Sequence, residues 1–125
     1  ANAETMAAAA AKMYFGRLDA LVSQALPEDA AVETPYLYVS MIIELRAIWV
    51  YRLYHDVLIE TGVPISLKSL LAEEELHLPQ MAESLAALDE PIEVTVPRFA
   101  LGEDHLFRAL WRAVEDDSLP AKMGA

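Results

Sequence analysis

Apolar positions recur at helical spacing along four stretches of this chain, and proline, glycine and acidic clusters separate them. The longest stretch is 35–61. Thr34 is a good N-cap, Pro35 can sit at a first helical position without losing a needed N–H, and Gly62 with Pro64 stops the run. At 1.5 Å per residue the helix is roughly 40 Å long. Wound at 100° per residue, one stripe reads Leu37, Met41, Glu44, Ile48, Tyr51, His55 and Leu58, and the opposite side carries Ile42, Trp49 and Leu53. A helix with no wet face is buried on every side. We therefore expect 35–61 to be the most buried helix and to meet a second copy of the chain.

The first helix is expected over 4–26, with Ala11, Tyr14, Phe15, Leu18, Val22 and Ala25 as its apolar stripe and Pro27 as its end. An acidic loop, 27–34, follows it. The third helix, 67–88, starts from Ser66 as N-cap, and its stripe is Leu67, Leu70, Leu71, Glu74, His77, Leu78, Met81, Leu85 and Leu88. Pro79 falls inside and should kink or split it. The alternation of Ile92, Val94 and Val96 within 91–99 reads as an extended connector. The fourth helix is expected over 103–116, with Leu106, Phe107, Leu110, Trp111 and Val114 inward. Asp116 and Asp117 oppose its dipole, so that end should fray, and 118–125 should be a loose tail. Together these elements predict a single all-α domain over 1–125, an up-down four-helix bundle.

Polar groups on the apolar stripes carry the chemistry. Glu74 and His77 are three apart on one helical face among leucines. A carboxylate buried there needs a partner, a proton or a metal ion. A straight hairpin turning about residue 64 would put His55 level with Glu73 and Glu74, and Tyr51 level with His77. Glu44 would then be level with Ser84, roughly 15 Å of helical rise from Glu74. Two imidazoles and a carboxylate suit Zn, Fe or Mn, with Tyr51 as a hydrogen-bond partner behind the ligands. The same residues can form a hydrogen-bonded polar layer that fixes helix register and binds nothing. Glu44 can likewise pair with Arg17, at similar height on an antiparallel first helix, or with a partner chain.

Glu44 on one helix, Glu74-Glu75-Leu76-His77 on the next, and Tyr51 two turns after Glu44 resemble the half-site of the ferritin-like superfamily, including rubrerythrins and encapsulated ferritins. That resemblance implies an iron site held by Glu44, Glu74 and His77 with Tyr51 nearby, and an oxidase or metal-handling role. It also implies a second half-site, which a symmetric dimer supplies in encapsulated ferritins. The resulting expectation is a ferritin-like protein with a Glu/His metal site at Glu74 and His77, completed by His55 or Glu44. The alternative is a non-catalytic interaction or accessory module that dimerises through 35–61.

Composition narrows the partners. The net charge of −11 opposes binding to nucleic-acid backbones and anionic membranes. Apolar residues make up 55 % of the chain, which favours a homo-oligomer, in the simplest case a dimer. The lack of cysteine excludes disulfides, thiolate ligands and cysteine nucleophiles. The alanine-rich start has no basic n-region, and Glu44, Arg46, Arg52, His55 and Asp56 would sit in lipid if 35–61 crossed a membrane. We expect a cytoplasmic protein with neither a secretory signal nor a membrane span.

Overall fold

The computed structural model describes residues 3–118; of the tail expected to be loose over 118–125, Ser118 still belongs to the last helix and the rest lies outside the described residues. The described chain is all-α: α1 (Ala3–Ala25), α2 (Thr34–Glu60), α3 (Lys68–Ala87) and α4 (Ile92–Ser118). It contains no strand among the described residues. Among the described residues, no helix is long and apolar enough to cross a membrane. The chain divides into two compact units, Ala1–Glu28 with Pro97–Ala125, and Asp29–Val96.

The first unit pairs α1 with the part of α4 that follows Pro97. Pro27 pushes Leu26 out of the α region, and α1 ends one residue earlier, at Ala25. Tyr14, Leu18 and Val22, successive i+4 positions, are buried. Phe15 was expected on this stripe but is half-exposed, with its ring edge-on to Tyr14 at 5.1 Å. The Tyr14 hydroxyl donates to Oε2 of the buried Glu103 at 2.7 Å. Gly102 permits close approach here, because a Cβ at that position would lie 2.6 Å from the tip of Leu21.

The expected connector over 91–99 is helical instead. The Pro91 carbonyl accepts from the N–H groups of Val94 and Thr95, which opens α4 eleven residues before the expected start. Proline's fixed φ suits a helix start, and Pro97 removes a single ladder bond that the long helix tolerates. β-Branched Ile92, Val94, Thr95 and Val96 have only a weak preference against helix, so their brief alternation did not decide the conformation.

The second unit is built on the α2–α3 hairpin. Glu33, rather than Thr34, takes the N-cap position, and Pro35 sits in the first turn. Gly62 at φ +73° ends α2: its N–H bonds to Ile59 O, and the Val63 N–H bonds to Leu58 O. This pair of bonds is the Schellman arrangement that a left-handed residue after the cap allows. The end of α3 repeats it with Asp89 at φ 59°, the N–H of Asp89 reaching Ala86 O and that of Glu90 reaching Leu85 O. Leu67 is the N-cap of α3, and Ser66 Oγ accepts from the Lys68 N–H. The helix runs through Pro79 without a break.

Tyr38, Met41, Ile42, Ile48 and Leu85 form the buried core of this unit. The Tyr38 hydroxyl donates to Glu90 Oε1 at 2.8 Å, which ties α2 to the turn after α3. Burial, then that bond to a carboxylate, pushes the Tyr38 phenol up to about 12. Within the described chain α2 is not buried all round, because Trp49, Leu53, Tyr54 and Val57 are exposed in its second half.

Candidate metal centre

Three side chains on the facing sides of α2 and α3 converge. One ligand atom each from Glu44, Glu74 and His77 lies within 4.8 Å of the others. His77 Nδ1 is 3.4 Å from Glu44 Oε1 and 3.8 Å from Glu74 Oε2. The two carboxylate side chains are 17 % and 18 % exposed, whereas the imidazole is 49 % exposed. The site therefore has a closed carboxylate floor and an open imidazole edge. His77 is less buried than its stripe suggested, since it stands about 60° round the helix from Glu74.

The connector explains why Glu44 reaches this point. The backbone N–H of Leu67 points to His55 Nδ1 at 3.4 Å, so residues 61–67 have already turned back beside the last turns of α2 when α3 begins. Counting equal helical rises from that contact puts Glu44 level with Leu78, one residue from His77. The straight hairpin about residue 64 had treated the connector as if it rose like helix, and that produced the apparent offset of Glu44.

The same correction moves His55 and Tyr51. His55 lies at the mouth of the connector, facing Leu67, and is not one of the three converging residues. Tyr51, two turns along α2 from Glu44, is half-buried. Within its own unit Glu44 faces His77. The exposed ion pair of Arg52 with Glu75 flanks the site on one side.

The electrostatics of the trio are those of a place that needs positive charge. Glu44 Oε2 is buried and has no hydrogen-bond partner. Glu74 titrates above the ordinary carboxyl range, first because its protonated form can hydrogen-bond to Glu44, then because it is buried and faces the Glu44 charge; His77 opposes the shift. Between two carboxylates there is no donor unless one holds a proton, so the orphaned oxygen and the raised Glu74 have one cause. A cation between them removes it. The three ligand atoms all lie within 4.8 Å of one another, close enough to be drawn onto one ion.

The chain matches no protein-family model, no curated protein and no solved structure. What the site does has to be read from its own residues. Two carboxylates with one imidazole suit a divalent first-row ion such as iron, manganese or zinc, and three protein ligands leave coordination positions open.

The buried Glu103 in the first unit was not singled out from the sequence, because the start of α4 was placed at that residue. Extending the helix to 92 aligns Phe99, Glu103 and Phe107 as one i+4 row, which is the signal that would have found it.

Proposed function

We propose that this chain is a ferritin-like helical protein that holds a metal ion, iron in the first instance, on Glu44, Glu74 and His77, with an oxidase or metal-handling role. The observation that carries this reading is the buried, unpartnered Glu44 Oε2 beside a second carboxylate. Left without a cation, the neighbouring Glu44 favours a proton on Glu74, and a bound cation would favour the ionised form of Glu74. Bound iron would supply Fe(II) oxidation by dioxygen. Glu44 and Glu74 would hold it by charge, and His77 would supply a neutral nitrogen at the open edge. Adding Fe(II), Mn(II) or Zn(II) to chelator-treated protein under anaerobic conditions should raise its unfolding temperature. No rise with any of the three ions would overturn the proposal.

One observation also favours the second reading, an interaction module that self-associates through α2. Trp49, Leu53, Tyr54 and Val57 form an exposed apolar run on that helix, larger than a scatter of single surface residues. Self-association and metal binding are compatible, and we include a homodimer in the proposed functional unit.

A further inference from the structure

We infer that His55 is a positioning residue: its imidazole anchors the start of α3 to the end of α2, and that anchor sets the register in which Glu44 meets Glu74 and His77. The inference rests on the proposed metal site for what the register serves; the anchor itself is independent of that reading.

The N–H of Leu67, the N-cap residue of α3, is one of the donors that a helix start leaves without an intrahelical partner. In a capping box the side chain three positions into the helix reaches back to accept from it. That position is Leu70, which has no acceptor. Ser66 Oγ is engaged with the next amide, that of Lys68. The acceptor comes instead from α2, where His55 Nδ1 lies 3.4 Å from the Leu67 nitrogen. Among the described residues, the other hydrogen bonds of 61–67 reach no more than five positions along the chain. The bond to His55 spans twelve. An Nδ1 that accepts carries no proton, so the ring is neutral with its hydrogen on Nε2.

Apolar packing alone leaves the register of this hairpin loose. The α3 stripe offers Leu67, Leu70, Leu71, Leu78 and Leu85, side chains of one shape, so a slid helix presents much the same surface. A polar contact is what separates one register from its neighbours in packed helices. His55 stands about 20° round α2 from Glu44, and Leu67 about 20° round α3 from Glu74, so the anchor and the site lie on one seam. Glu44 is eleven residues back from His55 and His77 ten on from Leu67, helical rises of about 16.5 and 15 Å. The near-equal arms bring His77 Nδ1 to 3.4 Å from Glu44 Oε1. A slip of one residue would move α3 by about 1.5 Å and turn it by about 100°, which carries His77 away from Glu44. The bond from Tyr38 to Glu90 ties the far end of the hairpin, and the trio lies between the two ties.

The test compares His55→Leu with His55→Asn. Asparagine puts a carbonyl oxygen on the carbon that bears Nδ1 in histidine. Leucine puts a methyl group there and is the better helix former, so helix propensity cannot account for a loss. In EDTA at pH 8, imidazole nitrogen NMR of the wild type should show His55 with Nδ1 unprotonated and Nε2 protonated. His55→Leu should shift the His77 ring signals and speed amide exchange at Leu67, and His55→Asn should restore both. His105, in the other unit, should report no change in either variant. With Mn(II) added and followed by electron paramagnetic resonance, His55→Leu should bind roughly tenfold more weakly than the wild type, and His55→Asn as the wild type does. A His55 ring protonated on Nδ1, or His77 signals unmoved in a folded His55→Leu, overturns the inference. Equal Mn(II) affinity in His55→Leu and a wild type that binds the ion overturns it too. Should His55→Leu not fold, the wild-type tautomer and the His77 signals of His55→Asn decide. If the wild type binds no ion, the metal reading fails, and the metal-free spectra still decide whether His55 sets the register.

Discussion

Replacing Glu44 by glutamine should make the metal-free protein more stable while destroying what makes the site useful. In the wild type the ligand oxygens of Glu44 and Glu74 lie within 4.8 Å. Two unit charges at that distance repel by about 3 kcal/mol at an effective dielectric of 20 and about 1 kcal/mol in water. Both side chains are less than one-fifth exposed, so the repulsion is only partly screened. Glutamine keeps the volume, removes one charge and offers an amide N–H to the remaining carboxylate. At pH 7 in EDTA, Glu44→Gln should therefore gain about 1–3 kcal/mol, a rise of roughly 3–10 °C in unfolding temperature for a chain of this size. The order should reverse with metal. An ion at one hundred times its dissociation constant stabilises the wild type by about 2.7 kcal/mol, and the variant, short of one ligand, should gain little. Differential scanning calorimetry of both proteins, with chelator and with added Fe(II) or Mn(II), reads all four values. A variant that is no more stable in EDTA and gains as much from metal as the wild type would refute the reasoning.

Three further outcomes follow from the same structure. Glu74 is held above the usual 4.5, so the folded chain retains a proton that the unfolded chain releases; metal-free stability should be full below that value and decline as pH rises through the folded pKa, and Glu74→Gln should flatten the decline in a pH series of urea melts. Tyr14→Phe removes the donor to the buried Glu103 and should lower stability by about 1–3 kcal/mol, read as a lower urea midpoint at unchanged slope; an unchanged midpoint would show that the bond contributes nothing. Asp89→Gly relieves a left-handed residue after α3 and should raise the unfolding temperature, by about 1 kcal/mol of stability, whereas a drop would mean that the aspartate side chain holds the turn.

The first three helices were legible because their ends are written in local chemistry. Pro27 and Pro35 each fix one backbone angle and Gly62 permits a left-handed one, and the boundaries expected from them lie within one residue of those found. The start of α4 was not legible in the same way. Pro97 and the alternation of Ile92, Val94 and Val96 are local signals against helix, and the full run from Ile92 overrides them. The pairing of Glu74 and His77 could be read from their i,i+3 spacing alone. Glu44 could not be placed by counting, because its height depends on how residues 61–67 double back, and seven non-helical residues leave no periodicity from which to infer that. Motif resemblance pointed to Glu44 where helical arithmetic pointed to His55, and the geometry joins Glu44 to the other two.

The most direct test of the metal centre is elemental analysis of the protein purified without chelators, wild type beside His77→Ala. His77 is the most exposed of the three ligands, so its loss removes a ligand at little cost to the core. The wild type should carry iron, manganese or zinc in a fixed ratio to chain, and His77→Ala should have lost most of it while unfolding at a similar temperature in EDTA. No stoichiometric metal in the wild type, or equal metal in both proteins, would contradict a site built on Glu44, Glu74 and His77.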